Sequence, residues 1–143
     1  MVIVEMEMSD LEKVSQLAAQ LGYPEPIEKI QTRFAQVKKL TTHQLYVAKN
    51  DENSVLGWIL INKTSATILA EPGAEITALV VDESYQNKGV GAALIKKAEA
   101  WAKANELSLV RVRSNVIRTD AHRFYQRNGY SLKKSWHLFV KEL

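Results

Sequence analysis

Val80-Val81-Asp82-Glu83-Ser84-Tyr85-Gln86-Asn87-Lys88-Gly89-Val90-Gly91-Ala92-Ala93-Leu94 decides the reading of this chain. An apolar strand runs into a short loop with two glycines, and a helix begins at once. That layout turns several backbone N–H groups toward one point, where a helix N-terminus adds partial positive charge. Gly89 and Gly91 carry no Cβ, so backbone there can approach an anion closely. Gln86 can hydrogen-bond a phosphate oxygen, and Lys88, Lys96 and Lys97 can supply charge. The plain alternative is an ordinary strand–turn–helix corner, because short glycine motifs recur by chance.

Working outward, the order of elements is legible. Ile76 to Val81 reads as the strand entering the loop, and the whole strand as Ala74 to Val81. Val90 to Asn105 reads as a helix with Val90, Leu94, Ala98 and Trp101 on its buried face. Leu107 to Arg113 reads as a strand, and Thr119 to Asn128 as a short helix closed by Gly129. Upstream, Ser9-Asp10-Leu11-Glu12 has the form of a capping box. Behind it Leu11, Val14, Leu17, Ala18 and Leu21 form one apolar helix face. Gly22 and Pro24 end that helix, and a second follows with Ile27, Ile30, Phe34 and Val37 on one side. Leu45 to Ala48 and Val55 to Ile61, around Asp51-Glu52-Asn53, read as a β-hairpin. Residues 1–6 read as a short strand, 63–73 as a loop with room for a short strand at Thr67 to Leu69, and Tyr130 to Lys133 and Ser135 to Lys141 as two closing strands. The predicted fold is α/β: a mixed central sheet of about seven strands, in the order βααβββαβαββ, with helices on both faces. Trp58, Trp101 and Trp136 are expected in its core.

The 143 residues suit one domain, 1–143, with a sizeable core. There are no cysteines, which excludes thiolate catalysis, disulfides and cysteine-based zinc sites. No metal site is expected. No apolar run approaches a membrane span, and Met1-Val2-Ile3-Val4-Glu5 does not read as a signal peptide, so a cytoplasmic protein is expected. A formal charge of +3, from scattered basic residues, gives no reason to expect nucleic acid.

A second motif sharpens the loop. Ala121-His122-Arg123-Phe124-Tyr125-Gln126-Arg127-Asn128-Gly129-Tyr130 follows about thirty residues later. Gln86, Gly89 and Gly91 resemble the Gln/Arg-x-x-Gly-x-Gly/Ala pyrophosphate loop of the GCN5-related N-acetyltransferases. The second motif resembles their Ala-x-x-Phe-Tyr-x-x-x-Gly-Phe/Tyr signature. The resemblance extends over the whole chain in element order. It implies an enzyme that moves an acetyl group from acetyl-CoA to a primary amine of a small molecule or protein by direct attack. The alternative is a CoA-binding sensor or regulatory domain of the same fold without catalysis.

The resemblance also implies residue roles. Gln86, Asn87, Lys88, Gly89, Val90, Gly91 and Ala92 would hold the pyrophosphate. The strands at 74–81 and 107–113 would splay apart to admit the cofactor. Leu79, Val80 and Val81 would meet the pantetheine arm and acetyl group through their backbone, with a bulge at 79–81 freeing one N–H for the acetyl carbonyl. Tyr125 would lie near the CoA sulfur. A phenol, with a reference pKa of about 10, is protonated where a thiol, at about 8.5, is leaving, so Tyr125 suits a general acid. The general base stays open: Glu75 is the candidate on the strand, beside Glu71, His122 and His43. Either Asn115, in a shifted register, or Arg118, in the usual one, would contact the cofactor. Tyr23, Tyr46 and the helices at 10–38 are candidates for the acceptor side. The final strands carry apolar surface suited to a homodimer.

Overall fold

Asp51 and Glu52 sit where the chain reverses between two apolar runs, and the reversal is built from asparagine chemistry. In the computed structural model, which describes residues 1–64, 68 and 71–143, Asn50 Oδ1 accepts N–H bonds from Glu52 (3.0 Å) and Ser54 (2.9 Å). Asn53 takes a positive φ of 63°. The hairpin strands are β2 (His43–Lys49) and β3 (Val55–Lys63). The possible strand at 67–69 falls largely outside the described residues.

The chain divides into two units, Met1–Val112 and Arg113–Leu143. The first holds β1 (Val2–Glu5), α1 (Leu11–Gln20), α2 (Ile27–Lys38), the hairpin, β4 (Ala74–Val81), α3 (Val90–Ala104) and β5 (Val110–Val112). The strands form one sheet in the order β1-β2-β3-β4-β5, antiparallel except for the parallel β4–β5 pair. The parallel pair follows from the connection, since α3 carries the chain back between two strands of the same direction.

Strand alternation decides which helix covers which face. Leu45, Val47, Trp58 and Val80 join Met6, Leu11, Val14, Leu17 and Phe34 in one cluster, so that face carries α1 and α2. Gly57, Ile59 and Ile61 point to the opposite face. There a Cβ built on Gly57 would come 3.3 Å from the Leu94 side chain, which places α3 on that side. Leu94, Ile95, Ala98 and Ala102 are buried on α3, and Trp101 is half-buried beside that stripe.

Three expectations are corrected here. The expected capping box of Ser9 and Glu12 is replaced by a 3-10 turn over Met8–Asp10, with α1 starting at Leu11. Glu7 N–H donates to Asp10 Oδ2 (2.9 Å), while Asp10 Oδ1 pairs with Lys49 Nζ at 2.8 Å. Both side chains of that pair are buried, so a long-range ion pair fixes the turn that local chemistry would assign to Ser9. Second, β5 covers three residues rather than 107–113. Third, the described sheet has five strands, not about seven, because residues 131–143 form no strand. Trp136, Leu138 and Val140, expected to face a core, are exposed.

The second unit contains α4 (Thr119–Arg127) and the chain on either side. Asn128 N–H bonds the carbonyls of Phe124 (3.2 Å) and Tyr125 (3.0 Å), and Tyr130 N–H that of Tyr125 (3.0 Å), which closes the helix.

Candidate functional site

The loop after β4 is held by Asp82, a residue the sequence motifs passed over. Its N–H donates to Leu56 C=O (2.8 Å), anchoring the loop to β3. Its Oδ1 accepts from Ser84 N–H (2.9 Å), and its Oδ2 pairs with Lys13 Nζ on α1 (2.8 Å). The hydrogen bond from Lys13 and the bond from the Ser84 backbone hold the Asp82 carboxyl below its ordinary pKa. An Asp-x-Ser sequence leaving a strand is the signal that could have found it. A 3-10 turn, Glu83–Tyr85, then delivers the chain to Gln86.

Gln86, Asn87, Lys88 and Gly89 are exposed. Asn87 has φ 60°, and Gly89 has φ 85° and ψ 0° as the residue preceding α3. A Cβ on Gly89 would find no heavy atom within 4 Å, so its glycine requirement comes from the backbone and from whatever approaches it. The bond from Ala93 N–H to Gly89 C=O (3.0 Å) closes the first turn of the helix. The N–H groups of Val90, Gly91 and Ala92 therefore have no carbonyl of their own helix to bond. Lys88 Nζ donates to Ser84 C=O (3.0 Å) and lies 5.2 Å from the Tyr85 ring centroid. Lys97 lies over Tyr46, 5.4 Å from its ring centroid, with Tyr46 on the α3 face.

The edge of β4 continues this surface. β4 and β5 pair over Ala74–Ile76 and Val110–Val112, after which β4 runs on from Thr77 to Val81. Against β3, Leu60 pairs with Ala78 and Ile61 with Ile76, so Thr77 is an extra residue on β4. The bulge thus lies at Thr77, earlier on the strand than the 79–81 expected from the sequence. Its effect is to reverse the alternation. Asp82 N–H and Val80 C=O face β3. Leu79 and Val81 then turn their N–H and C=O groups to the opposite edge. There β5 provides them no partner among the described residues. Val80 commits its backbone to β3.

The same bulge sets a polar row across the sheet. His43 is opposite Asn62, Asn62 opposite Glu75, and Glu75 opposite Arg111. Alternation from Trp58 through Leu60 places Asn62 on the α1–α2 face. Glu75 is half-buried in this row. Asn62 Nδ2 donates to Lys63 C=O (3.2 Å), while Asn62 Oδ1 and Trp58 Nε1 are buried without a partner among the described residues. Arg111 donates to Thr64 Oγ1 (3.4 Å) and Glu71 C=O (3.3 Å). A shallow pocket of Val37, Lys38, Leu40, His43, Gln44 and Leu45 opens at one end of the row. It does not include the loop at residues 86–89.

In the second unit, Tyr125 is half-buried, with its ring edge-on to Phe124 (5.3 Å) and Tyr130 (6.0 Å). Burial pushes its phenol pKa up, and the Arg118 cation partly opposes this. Asn115 closes a turn: Oδ1 accepts from Ile117 N–H (3.1 Å), and its C=O accepts from Arg118 N–H (2.9 Å). His122 Nε2 lies 2.9 Å from the same carbonyl. Asn115 Oδ1 and one His122 nitrogen are thus engaged locally. Among the described residues no group of three His, Asp or Glu could hold a metal ion. No helix among the described residues is long and apolar enough to cross a membrane.

The fold and loop define an α/β protein in which a helix begins on unpaired N–H groups beside a strand edge that β5 leaves open among the described residues. The acetyltransferase (GNAT) family profile matches residues 8–130, and the chain belongs to that family. It is 33% identical over 95 residues to the uncharacterised protein YxbD of Bacillus subtilis, a match covering 66% of this chain and 53% of that protein. It is 39% identical over 69 residues to the aminoalkylphosphonate N-acetyltransferase of Salmonella typhimurium, covering 48% of this chain and 44% of that one. The chain thus spans about half the length of these curated relatives. AAC(6')-Iy, solved with the bisubstrate analogue CoA-S-monomethyl-acetylneamine, shares the fold with a TM-score of 0.88 at 16% identity, over 99% of this chain and 98% of that one.

Proposed function

We propose that residues 1–143 form one N-acetyltransferase domain that transfers the acetyl group of acetyl-CoA directly to a primary amine. The observation that carries the reading is the continuity of two unsatisfied backbone surfaces. The β4 edge at Leu79 and Val81 leads through the Asp82-anchored loop to the unpartnered N–H groups of Val90, Gly91 and Ala92. An extended amide-bearing arm suits the first surface, and a pyrophosphate suits the second. Gln86 and Asn87 add side-chain donors at the loop, and the exposed Gly89 leaves room for phosphate.

In this reading the amine nitrogen attacks the acetyl carbonyl carbon, the C–S bond breaks, and the amide and free CoA form. Glu75 takes the amine proton. The β4 edge donates an N–H to the carbonyl oxygen as it gains negative charge. Tyr125, protonated across the neutral range, gives a proton to the departing sulfur. Asn115 is a smaller contributor to cofactor binding, through Nδ2, because its Oδ1 closes a turn. The amine sits on the α1–α2 face, where Glu75 and Asn62 present acceptors side by side.

Two measurements on one preparation test this. Acetyl-CoA should raise the melting temperature, since it binds the folded state. A panel of amines should include one that releases free CoA. No thermal shift at saturating acetyl-CoA would overturn the reading. A shift with no CoA release across aminoglycosides, polyamines, amino acids and peptides would favour a CoA-binding sensor instead.

A further inference from the structure

Helix α1 reaches the turn that leads into the proposed phosphate loop at two points. Lys13 Nζ pairs with Asp82 Oδ2 at 2.8 Å, and Gln20 Oε1 accepts from Glu83 N–H at 3.3 Å. Lys13 and Gln20 stand two turns apart on α1, so one side of the helix supplies both contacts. Asp82 continues the alternation of β4 and so shares a face with Val80, which packs against the α1 side chains. The turn has its own bonds as well. Tyr85 N–H donates to Asp82 C=O (2.8 Å), and Lys88 Nζ donates to Ser84 C=O (3.0 Å).

Asp82 brings a conflict of charge. Its Oδ1 shapes the turn by accepting from Ser84 N–H at 2.9 Å. Its carboxylate also stands on the approach to Gln86, where a polyanion is proposed to bind. Asp82 is 9% exposed, so water screens its charge poorly. The neighbouring Glu83 is exposed and solvated. A poorly hydrated carboxylate without a partner is unfavourable in itself and repels phosphate over a longer range than a hydrated one. Lys13 resolves the conflict. Its ammonium cancels the charge through Oδ2 and leaves Oδ1 to Ser84. The Lys13 side chain is 39% exposed against 13% for Asp82, so the lysine keeps part of its hydration while the carboxylate is covered.

We infer, resting on the reading of residues 86–92 as a pyrophosphate loop, that Lys13 is a positioning residue for the phosphates of the donor. It acts through Asp82, by holding the turn that aims the loop and by removing a negative charge from the path of the ligand.

Calorimetric titration of the full chain with CoA, and amide titration with pantetheine, test this together. Pantetheine has the amide-bearing arm and no pyrophosphate. Lys13→Met should bind CoA about tenfold more weakly, the scale of one uncompensated charge near a phosphate, and pantetheine as the wild type does. Lys13→Arg should restore CoA affinity, because a guanidinium pairs with the same carboxylate. Lys13→Met with Asp82→Asn should recover much of the loss, since the amide keeps an acceptor oxygen without the charge. If Lys13→Met fails to fold, Lys13→Gln replaces it with the same expected loss, its amide able to bond Oδ2 without neutralising it. Unchanged CoA affinity in the folded variant would overturn the inference and leave the loop reading intact. Equal losses for CoA and pantetheine would make Lys13 a support of the fold at large and overturn it too. A wild-type chain that does not bind CoA would overturn the loop reading, and the inference with it.

Discussion

Replacing Gly89 by Asn and by Asp separates backbone from charge at the proposed pyrophosphate loop. Gly89 has φ 85°, and a Cβ there meets nothing within 4 Å, so either side chain fits without a clash. Both residues pay for the left-handed backbone, about 1–2 kcal/mol as an upper range, and Asn and Asp tolerate it best. For a chain of this length that lowers the melting temperature by about 3–7 °C, nearly equally for the two variants. They differ by one negative charge. A carboxylate roughly 5 Å from one phosphate charge is repelled by about 0.8 kcal/mol at the dielectric of water and about 3.3 at an effective dielectric of 20. Gly89→Asp should therefore bind acetyl-CoA about 4- to 270-fold more weakly than Gly89→Asn, and the gap should narrow in high salt. Isothermal titration calorimetry at two ionic strengths reads this directly. Equal dissociation constants for the Asn and Asp variants would refute the placement of phosphate at Gly89.

Three further outcomes follow from the same geometry. Tyr125→Phe should lower kcat by about 100-fold with acetyl-CoA affinity nearly unchanged, the lower end of the range for a lost general acid. Because burial raises the phenol pKa, the acid stays protonated into alkaline solution, so any alkaline fall in kcat owed to Tyr125 should lie above the ordinary phenol range and vanish in the variant. Asp82 has a depressed folded pKa, so its contribution to stability is present above the unfolded carboxylate pKa and lost as pH falls through the folded one. Asp82→Asn should therefore reduce stability at neutral pH and flatten the acid side of the stability profile, as thermal melts across pH would show. Lys49→Met should cost about 3–5 kcal/mol by stranding Asp10, whereas Lys49→Met with Asp10→Leu should recover most of it in denaturant titrations. A single variant as stable as the wild type would contradict the burial of that pair.

Much of the first unit is legible in the sequence because its signals are local. The apolar spacing of Leu11, Val14 and Leu17 marks a helix face, and Asp51-Glu52-Asn53 marks a hairpin. The strand–glycine–helix run at 80–94 fixes the proposed site. What sequence could not show depends on partners distant in the chain. Asp10 displaces the Ser9 cap because Lys49, on β2, claims it. The bulge at Thr77 depends on the register against Leu60 and Ile61, and so does the choice of Leu79 and Val81 over Val80 as the open-edge residues. Asn115 carries a motif-like position, yet its Oδ1 closes its own turn. The alternation after Tyr130 suggests two closing strands, yet residues 131–143 form none, because periodicity alone supplies no pairing partner.

The central claim is that one ligand occupies both the loop and the β4 edge. Backbone amide spectra of the nitrogen-15-labelled protein titrated with CoA test it most directly. The amides of Gly89, Val90, Gly91 and Ala92 should shift together with those of Leu79 and Val81, along one saturating curve, while Val80 and Ala78, bonded toward β3, move less. Shifts confined to the loop, or loop and strand amides titrating with different affinities, would contradict the account.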